Sequence, residues 1–164
     1  MTKYLLILII LFSATASAVE IENFKSGLAC TDGETFGWIC HEVEKIYVTG
    51  QGKCTYNGEV KPCTWHGYEF DYKGITDDTA IECKVSSSYP INLGNPNEVT
   101  DNDIQEASYV LPVPVGDGHF FNPQYAVLAV PDGPPYVRAE KTECYSGDRK
   151  LFEYSKQYIY PKNP

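Results

Sequence analysis

The chain has 164 residues, of which 22 are acidic and 13 are Lys or Arg, so its formal net charge is -9 at pH 7. A surface of that sign repels phosphate backbones and anionic lipid heads, which argues against nucleic acids and membrane surfaces as partners. Hydrophobic residues make up 43% of the chain, and this is enough for one core of ordinary size.

The N-terminal segment has the pattern of a secretory signal peptide. Lys3 precedes an apolar run from Tyr4 to Phe12, and Ala16-Ser17-Ala18 offers the small residues that signal peptidase requires. The apolar run is shorter than the about 20 residues of a membrane-spanning helix. We therefore predict a signal peptide at residues 1–18 and a mature chain at 19–164. The mature protein is expected to be secreted or periplasmic, without membrane attachment.

The cysteines predict a disulfide framework, because an even number in an exported chain usually pairs completely. Two pairs are close in sequence, and the remaining pair joins two segments that resemble each other, Ile81-Glu82-Cys83 and Thr142-Glu143-Cys144. No Cys-x-x-Cys pair is present, which argues against structural zinc. Full pairing also leaves no thiol for catalysis. The predicted disulfides are Cys30 with Cys40, Cys54 with Cys63, and Cys83 with Cys144.

Short β-rich runs separated by turn signals recur along the mature chain. The first clear strand is predicted at residues 43–49. It is followed by a hairpin around Asn57-Gly58, which suits a two-residue turn. In a regular hairpin of this kind Lys61 lies opposite Cys54, so the disulfide to Cys63 needs a bulge or a diagonal approach. Apolar residues with helical spacing extend over no more than two turns, and the best helix candidate is 102–108.

The most legible strand is 64–72, because its side chains alternate between two distinct faces. A half-buried strand needs only one apolar face, so the other face must present either an aromatic row or a Trp with two carboxylates to solvent. We therefore predict that any binding surface includes this segment. The candidate binding residues are Trp65, His66, Tyr68, Glu69, Phe70, Asp71 and Tyr72.

The C-terminal half predicts further strands. One is expected at 79–87, then a long loop at about 88–103, then an edge strand or extended segment at 107–115, where Pro112 and Pro114 cannot donate to a ladder. An apolar strand at 125–130 precedes an antiparallel pair at 136–145 and 150–160. About eight short antiparallel strands predict a single all-β domain over 19–164, either a disulfide-bonded β-sandwich or a partly open barrel.

The sequence contains no motif that indicates catalysis. It lacks G-x-S-x-G, H-E-x-x-H, P-loop and dinucleotide-binding patterns. His41, His66 and His119 lie in separate segments, so their spacing does not predict a metal site. Asp101 and Asp103 lie in an acidic loop with the oxygen ligands that Ca²⁺ prefers, but without the spacing of an EF-hand. We predict no catalytic residue, no metal and no cofactor.

Aromatic residues are the unusual feature of the composition, since 13 Tyr and 2 Trp exceed what a core of this size needs. Tyr suits protein interfaces and sugar stacking because it combines a flat apolar face with a hydroxyl. The prediction is an exported, non-enzymatic module that binds another protein, with inhibition of a basic secreted enzyme as one form. A carbohydrate-binding module would instead stack sugars on aromatics from Trp38, Trp65, Tyr68, Phe70 and Tyr72. A small secreted hydrolase would draw acid and base from His66, Glu69 and Asp71.

Overall fold

The structure is a computed structural model that describes residues 19–31, 36–56, 58–91, 104–128 and 137–161. The predicted signal peptide and residues 92–103 of the predicted loop lie outside these ranges. The described residues contain no helix that is long and apolar enough to cross a membrane. Their strands are β1 (Glu20–Thr31), β2 (Phe36–Glu42), β3 (Lys45–Tyr47), β4 (Gly52–Tyr56), β5 (Glu59–Ile75), β6 (Glu82–Ile91), β7 (Ile104–Val110), β8 (Gly116–Val127), β9 (Val137–Ser146) and β10 (Arg149–Ile159).

The strands form two five-stranded sheets that do not close into a barrel. In the first sheet β5 pairs with β1 and with β8 on opposite edges, β2 extends the sheet beyond β1, and β4 pairs with the start of β5. The second sheet has the order β3-β10-β9-β6-β7. The predicted all-β sandwich is therefore confirmed, although it has ten strands in the described residues, and β3 pairs with β10 in parallel.

Several predicted element bounds were wrong. Of the strand predicted at 43–49 only β3 is regular, and β1 and β2 before it were not predicted. Strand β6 continues to Ile91, so the predicted loop does not begin at residue 88. The helix candidate at 102–108 overlaps β7, which is an edge strand. Pairing with β6 over Ile104–Val110 overrides the weak helical pattern in that segment.

The three disulfides have the predicted partners: Cys30 with Cys40, Cys54 with Cys63, and Cys83 with Cys144. Cys83 lies directly opposite Cys144 in the ladder between β6 and β9. In the β4–β5 hairpin Lys61 lies opposite Cys54, so the disulfide to Cys63 is diagonal. Gly58 has a φ of 76°, which the hairpin turn requires and glycine adopts without strain.

The interior contains two apolar clusters. The larger one lies between the middle of β5 and strands β6, β9 and β10, and it includes Tyr68, Phe70, Tyr72, Cys83 and Phe152. The smaller one comprises Ile46, Val48, Ala126, Tyr158 and Tyr160. His66 and Lys156 are also buried, at 3% and 1% exposure, with His66 against the ring of Tyr158 and Lys156 facing the ring of Tyr68. The core is therefore interrupted by a polar layer.

Replacing Phe70 by Ala should destabilise the fold strongly. Phe70 is fully buried, and its ring packs 5.2 Å from the rings of both Phe120 and Phe152. Truncation of a buried Phe costs about 3–5 kcal/mol through lost burial and the remaining cavity. Urea unfolding of Phe70→Ala and of Val60→Ala measures this. Val60 lies on the same strand and is 70% exposed, so its truncation should leave the midpoint nearly unchanged. Equal midpoints for the two variants would contradict this assignment of the core.

Candidate functional site

The outer face of the first sheet is formed by alternate residues of β5 and their partners on β8. Trp65 pairs with Tyr125 and Gly67 with Pro123, followed along the strands by Glu69 with Phe121 and Asp71 with His119. The interleaved residues of β5 point into the core. This whole surface, which we call the outer-face site, has an aromatic end and a charged end. These ends are six residues apart, or about 20 Å along an extended strand.

Glu69 is a buried carboxylate on this outer face, with 4% of its surface exposed. Its Oε2 accepts a hydrogen bond from the backbone N–H of Ile39 at 2.8 Å. Its Oε1 lies 3.2 Å from Nζ of Lys25, which β1 places opposite it. Strands β1 and β2 also approach each other closely, since a Cβ on Gly27 of β1 would collide with the carbonyl oxygen of His41 of β2. Glu69 therefore anchors the β1–β2 hairpin to β5.

Asp71 is more exposed than Glu69, and its carboxylate contacts two polar side chains. Its Oδ2 accepts a hydrogen bond from Nδ2 of Asn23 at 2.7 Å, and its Oδ1 lies 2.9 Å from Nδ1 of His119. Asn23 lies at an irregularity in the pairing of β1 with β5 and has a φ of 51°. The hydrogen bonds from Asn23 and then His119 hold the pKa of Asp71 below its ordinary value of 3.8. Asp71 is thus kept as a carboxylate.

A shallow depression of about 470 Å³ lies at this charged end. In addition to its contact with Asp71, His119 lies near Glu69, with 3.9 Å between its Nε2 and the carboxylate oxygen Oε2. In the part of the chain that the structure describes, no three His, Cys, Asp or Glu side chains are arranged to hold a metal ion. The depression is lined by Asn23, Phe24, Lys25, Glu42, Glu69, Asp71 and His119.

The aromatic end is built from a cross-strand pair. The rings of Trp65 and Tyr125 lie 5.2 Å apart at an angle of 69°, so they meet edge to face. The Tyr125 hydroxyl donates to the carbonyl oxygen of Thr55 at 2.5 Å, which ties the pair to β4. A Cβ on Gly52 would come within 2.8 Å of the Trp65 ring. Both rings are partly exposed, and their orientation is set by three strands.

The predicted binding segment is divided by the sheet. Trp65, Glu69 and Asp71 lie on the outer face, whereas His66, Tyr68, Phe70 and Tyr72 are buried in the interior. The last four are therefore not part of an accessible surface. His66 also lies on the opposite side of the sheet from Glu69 and Asp71, so the predicted hydrolase triple does not assemble. His119 and Lys25 occupy the places beside these carboxylates, and no short-range spacing indicated either of them.

The outer face of the second sheet has a different character. Lys150 lies 2.7 Å from both Glu143 and Glu153, and Lys141 lies 3.1 Å from Glu143 and 3.5 Å from Glu153. Hydrogen bonds from Lys150 and Lys141 lower the pKa of Glu143 to about 2. Exposed ion pairs of this kind contribute little to stability. The opposite charges neutralise each other, and this face has the pattern typical of a surface exposed to water.

Replacing Asn23 by Gly should raise the pKa of Asp71 towards 3.8, because it removes the largest of the interactions that lower it. Glycine tolerates the positive φ at this position, so the backbone is preserved. NMR titration of the Asp71 carboxyl carbon measures the change. Lys150→Met, on the other sheet, serves as the control and should leave this pKa unaltered.

The sign of the linked stability follows from the lowered pKa. The hydrogen bonds to Asp71 stabilise the fold above pH 3.8, and this contribution is lost as the pH falls through the folded-state pKa. The destabilisation of Asn23→Gly relative to wild type should therefore shrink in acid. An unchanged Asp71 pKa in Asn23→Gly would contradict the assigned geometry.

No protein-family model and no curated protein matches the chain. Among solved structures, the chain is similar to the crystal structure of an immunoglobulin-like protein from Pseudomonas aeruginosa. The sequence identity is 12%, the TM-score is 0.54, and the match covers 88% of this chain and 98% of that one. At this identity the likeness shows the fold alone, so the two-sheet architecture is that of an immunoglobulin-like domain.

Proposed function

We propose that this chain is an exported, non-enzymatic binding module whose ligand is another protein, and that the outer-face site is its binding surface. The observation that carries the proposal is the placement of Trp65 and Tyr125, partly exposed and rigidly oriented, on the face that also bears the depression. Aromatic side chains in fixed orientations supply much of the energy at protein interfaces. Protein interfaces commonly combine such an apolar centre with a polar rim.

Export is supported by the disulfides and by the N-terminal segment. Three disulfides in a domain of this size fit an extracellular or periplasmic compartment, where thiols are oxidised. Cleavage after Ala18 would also remove Lys3, which changes the net charge from -9 to -10 because every acidic residue follows that point. The proposed location is therefore the periplasm or the extracellular medium.

A basic partner is favoured by charge. The mature chain is strongly acidic, and a surface of one sign steers an oppositely charged protein towards it. At the outer-face site Glu42 and Asp71 line the depression together with Glu69. A Lys or Arg side chain of a partner would meet Asp71, which is exposed, about 20 Å from the aromatic pair. Inhibition of a basic secreted enzyme is one form that such binding would take.

The geometry gives less support to carbohydrate binding. Tyr68, Phe70 and Tyr72, three of the five aromatics considered for stacking, are buried. Trp65 and Tyr125 meet at 69°, so they do not offer two coplanar rings to one sugar chain. Trp38 is 43% exposed and stays available for a single stacking contact. A glycan is therefore the alternative ligand that a binding experiment must include.

A hydrolase is supported least. Its acid and base would have to share the depression, but His66 lies in the core and Glu69 is held by Lys25 and the Ile39 amide. Asp71 and His119 do form a close pair at 2.9 Å. A carboxylate and an imidazole in contact are a common arrangement for orienting a histidine, and they do not define a reaction without a nucleophile or an activated water.

Trp65→Ala should abolish most of the binding to the protein partner. The test captures exported proteins from the cell's own periplasmic or secreted fraction on the immobilised mature protein, and then measures the affinity of the purified partner. Loss of an interface anchor worth about 2 kcal/mol weakens binding about 30-fold. The matched control is Tyr145→Ala, which lies on the outer face of the second sheet and should bind like wild type. Asp71→Asn should weaken mainly the salt-dependent part of the association.

Two results would contradict the proposal. One is a Trp65→Ala variant that melts like wild type and binds the partner with unchanged affinity, because the interface would then lie elsewhere. The other is specific retention of a glycan, with no protein partner, on wild type but not on Trp38→Ala or Trp65→Ala. That result would assign the surface to carbohydrate binding.

A further inference from the structure

Lys156 is a buried amine at the junction of the two sheets. It lies on β10 with 1% of its surface exposed, and its Nζ contacts three acceptors on the first sheet. These are the carbonyl oxygen of Gly67 at 3.1 Å, Nδ1 of His66 at 3.3 Å and Oε1 of Gln124 at 3.3 Å. An ammonium group has three N–H donors, so these acceptors match it in number. None of the three is a carboxylate.

The other groups around the amine come from four strands. On β10 the ring of Tyr154 has its centroid 4.9 Å from Nζ, and on β5 the ring of Tyr68 lies at 6.0 Å. Tyr109 on β7 is hydrogen-bonded with both of these tyrosines. On β9 Glu140 lies opposite Lys156 in the ladder, but its Oε1 is 3.0 Å from Nε of Arg138. The carboxylate of Glu140 is thus already paired with Arg138.

The contact between His66 and Lys156 depends on whether the His66 imidazole is protonated. Its ring packs edge to face on Tyr158, with centroids 5.0 Å apart, and its Nδ1 faces Nζ of Lys156. A neutral imidazole can accept a hydrogen bond at Nδ1 from the amine, whereas an imidazolium carries N–H donors at both nitrogens. If His66 and Lys156 were both protonated, two positive charges would lie in direct contact and repel each other.

We propose that Lys156 and His66 form an acid-sensitive joint between the two sheets: the contact holds β10 against β5 and β8 while His66 is neutral, and protonation of His66 opens it. This inference rests on the interior contacts and does not depend on the proposed function. The joint lies directly behind the outer-face site, because the carbonyl of Gly67 belongs to the stretch of β5 between Trp65 and Glu69. Gly67 is also closely packed, since a Cβ there would collide with the carbonyl oxygen of Asn122.

The direction of the pH dependence follows from the two titrations. Burial, then Lys156, then Arg138 hold the pKa of His66 well below 6.5, and burial lowers the pKa of Lys156 from 10.5 to about 7. Both shifts make the folded state bind fewer protons than the unfolded chain. Stability associated with Lys156 therefore falls as the pH drops from 10.5 to about 7 and is constant below that. Stability associated with His66 falls as the pH drops from 6.5 towards its folded-state pKa.

Urea unfolding at about pH 7.5 and about pH 5.5 tests the joint in wild type, His66→Asn and Lys156→Met. One linked proton changes the folding equilibrium constant roughly tenfold per pH unit, and His66 is linked only below pH 6.5, so its titration should lower this constant about tenfold between these conditions in wild type. The smaller loss linked to Lys156, between pH 7.5 and about 7, occurs in wild type and in His66→Asn. His66→Asn keeps an acceptor without a titrating ring and should lose much less. The control is His41→Asn, which removes an exposed histidine of β2 outside the outer-face site and should behave like wild type. Identical losses in wild type and His66→Asn would overturn the proposal.

NMR titration of the His66 ring in the wild-type protein provides a second measurement that does not depend on whether the variants fold. The proposal predicts that the ring stays neutral well below pH 6.5 and that the native spectrum disappears as it becomes protonated. Titration of His66 at an ordinary value in the intact fold would overturn the proposal. In a folded Lys156→Met the pKa of His66 should rise but stay below 6.5, because burial remains while the neighbouring charge is gone.

Discussion

The structure depends on the two-sided pairing of β5. Its 17 residues are held by β1 and β4 along one side and by β8 along the other, so its register cannot slip without breaking several ladders. Successive side chains of a strand point to opposite faces, and a shift by one residue would exchange those faces completely. The pairing therefore buries Tyr68 and Phe70 and fixes Trp65, Glu69 and Asp71 on the outer side. The core and the candidate surface therefore both follow from the alternation of side chains along β5.

Local chemistry was enough to predict part of this arrangement. Asn57-Gly58 predicted the β4–β5 hairpin, and its register required either a bulge or a diagonal approach for the disulfide between Cys54 and Cys63, which is diagonal in the structure. The alternation of residues 64–72 predicted that one face would be aromatic and the other would carry a Trp and two carboxylates. It did not say which face is inside. That choice is made by the second sheet, whose Phe152 packs on Phe70 at 5.2 Å.

The remaining features come from contacts that are distant in sequence. Strand β1 was not predicted because the irregularity near Asn23 interrupts its alternation. His119 reaches Asp71 only through the register of β8, 48 residues away. Lys156 shares the inward face of β10 with Phe152 and Tyr158, and its burial there is possible because three groups of the first sheet supply acceptors. A buried lysine requires partners that sequence spacing does not reveal.

The outer face and the interior contact of Lys156 thus lie on two sides of one strand, β5, and Gly67 belongs to both. The most direct measurement of this account is hydroxyl-radical footprinting of the mature protein, read out by peptide mass spectrometry. We expect oxidation of Trp65 and Tyr125, which are partly exposed, and protection of Tyr68, Phe70 and Tyr72, which are buried. Oxidation of those three aromatics with protection of Trp65 would show that β5 presents its other face, and it would contradict both the core and the candidate site.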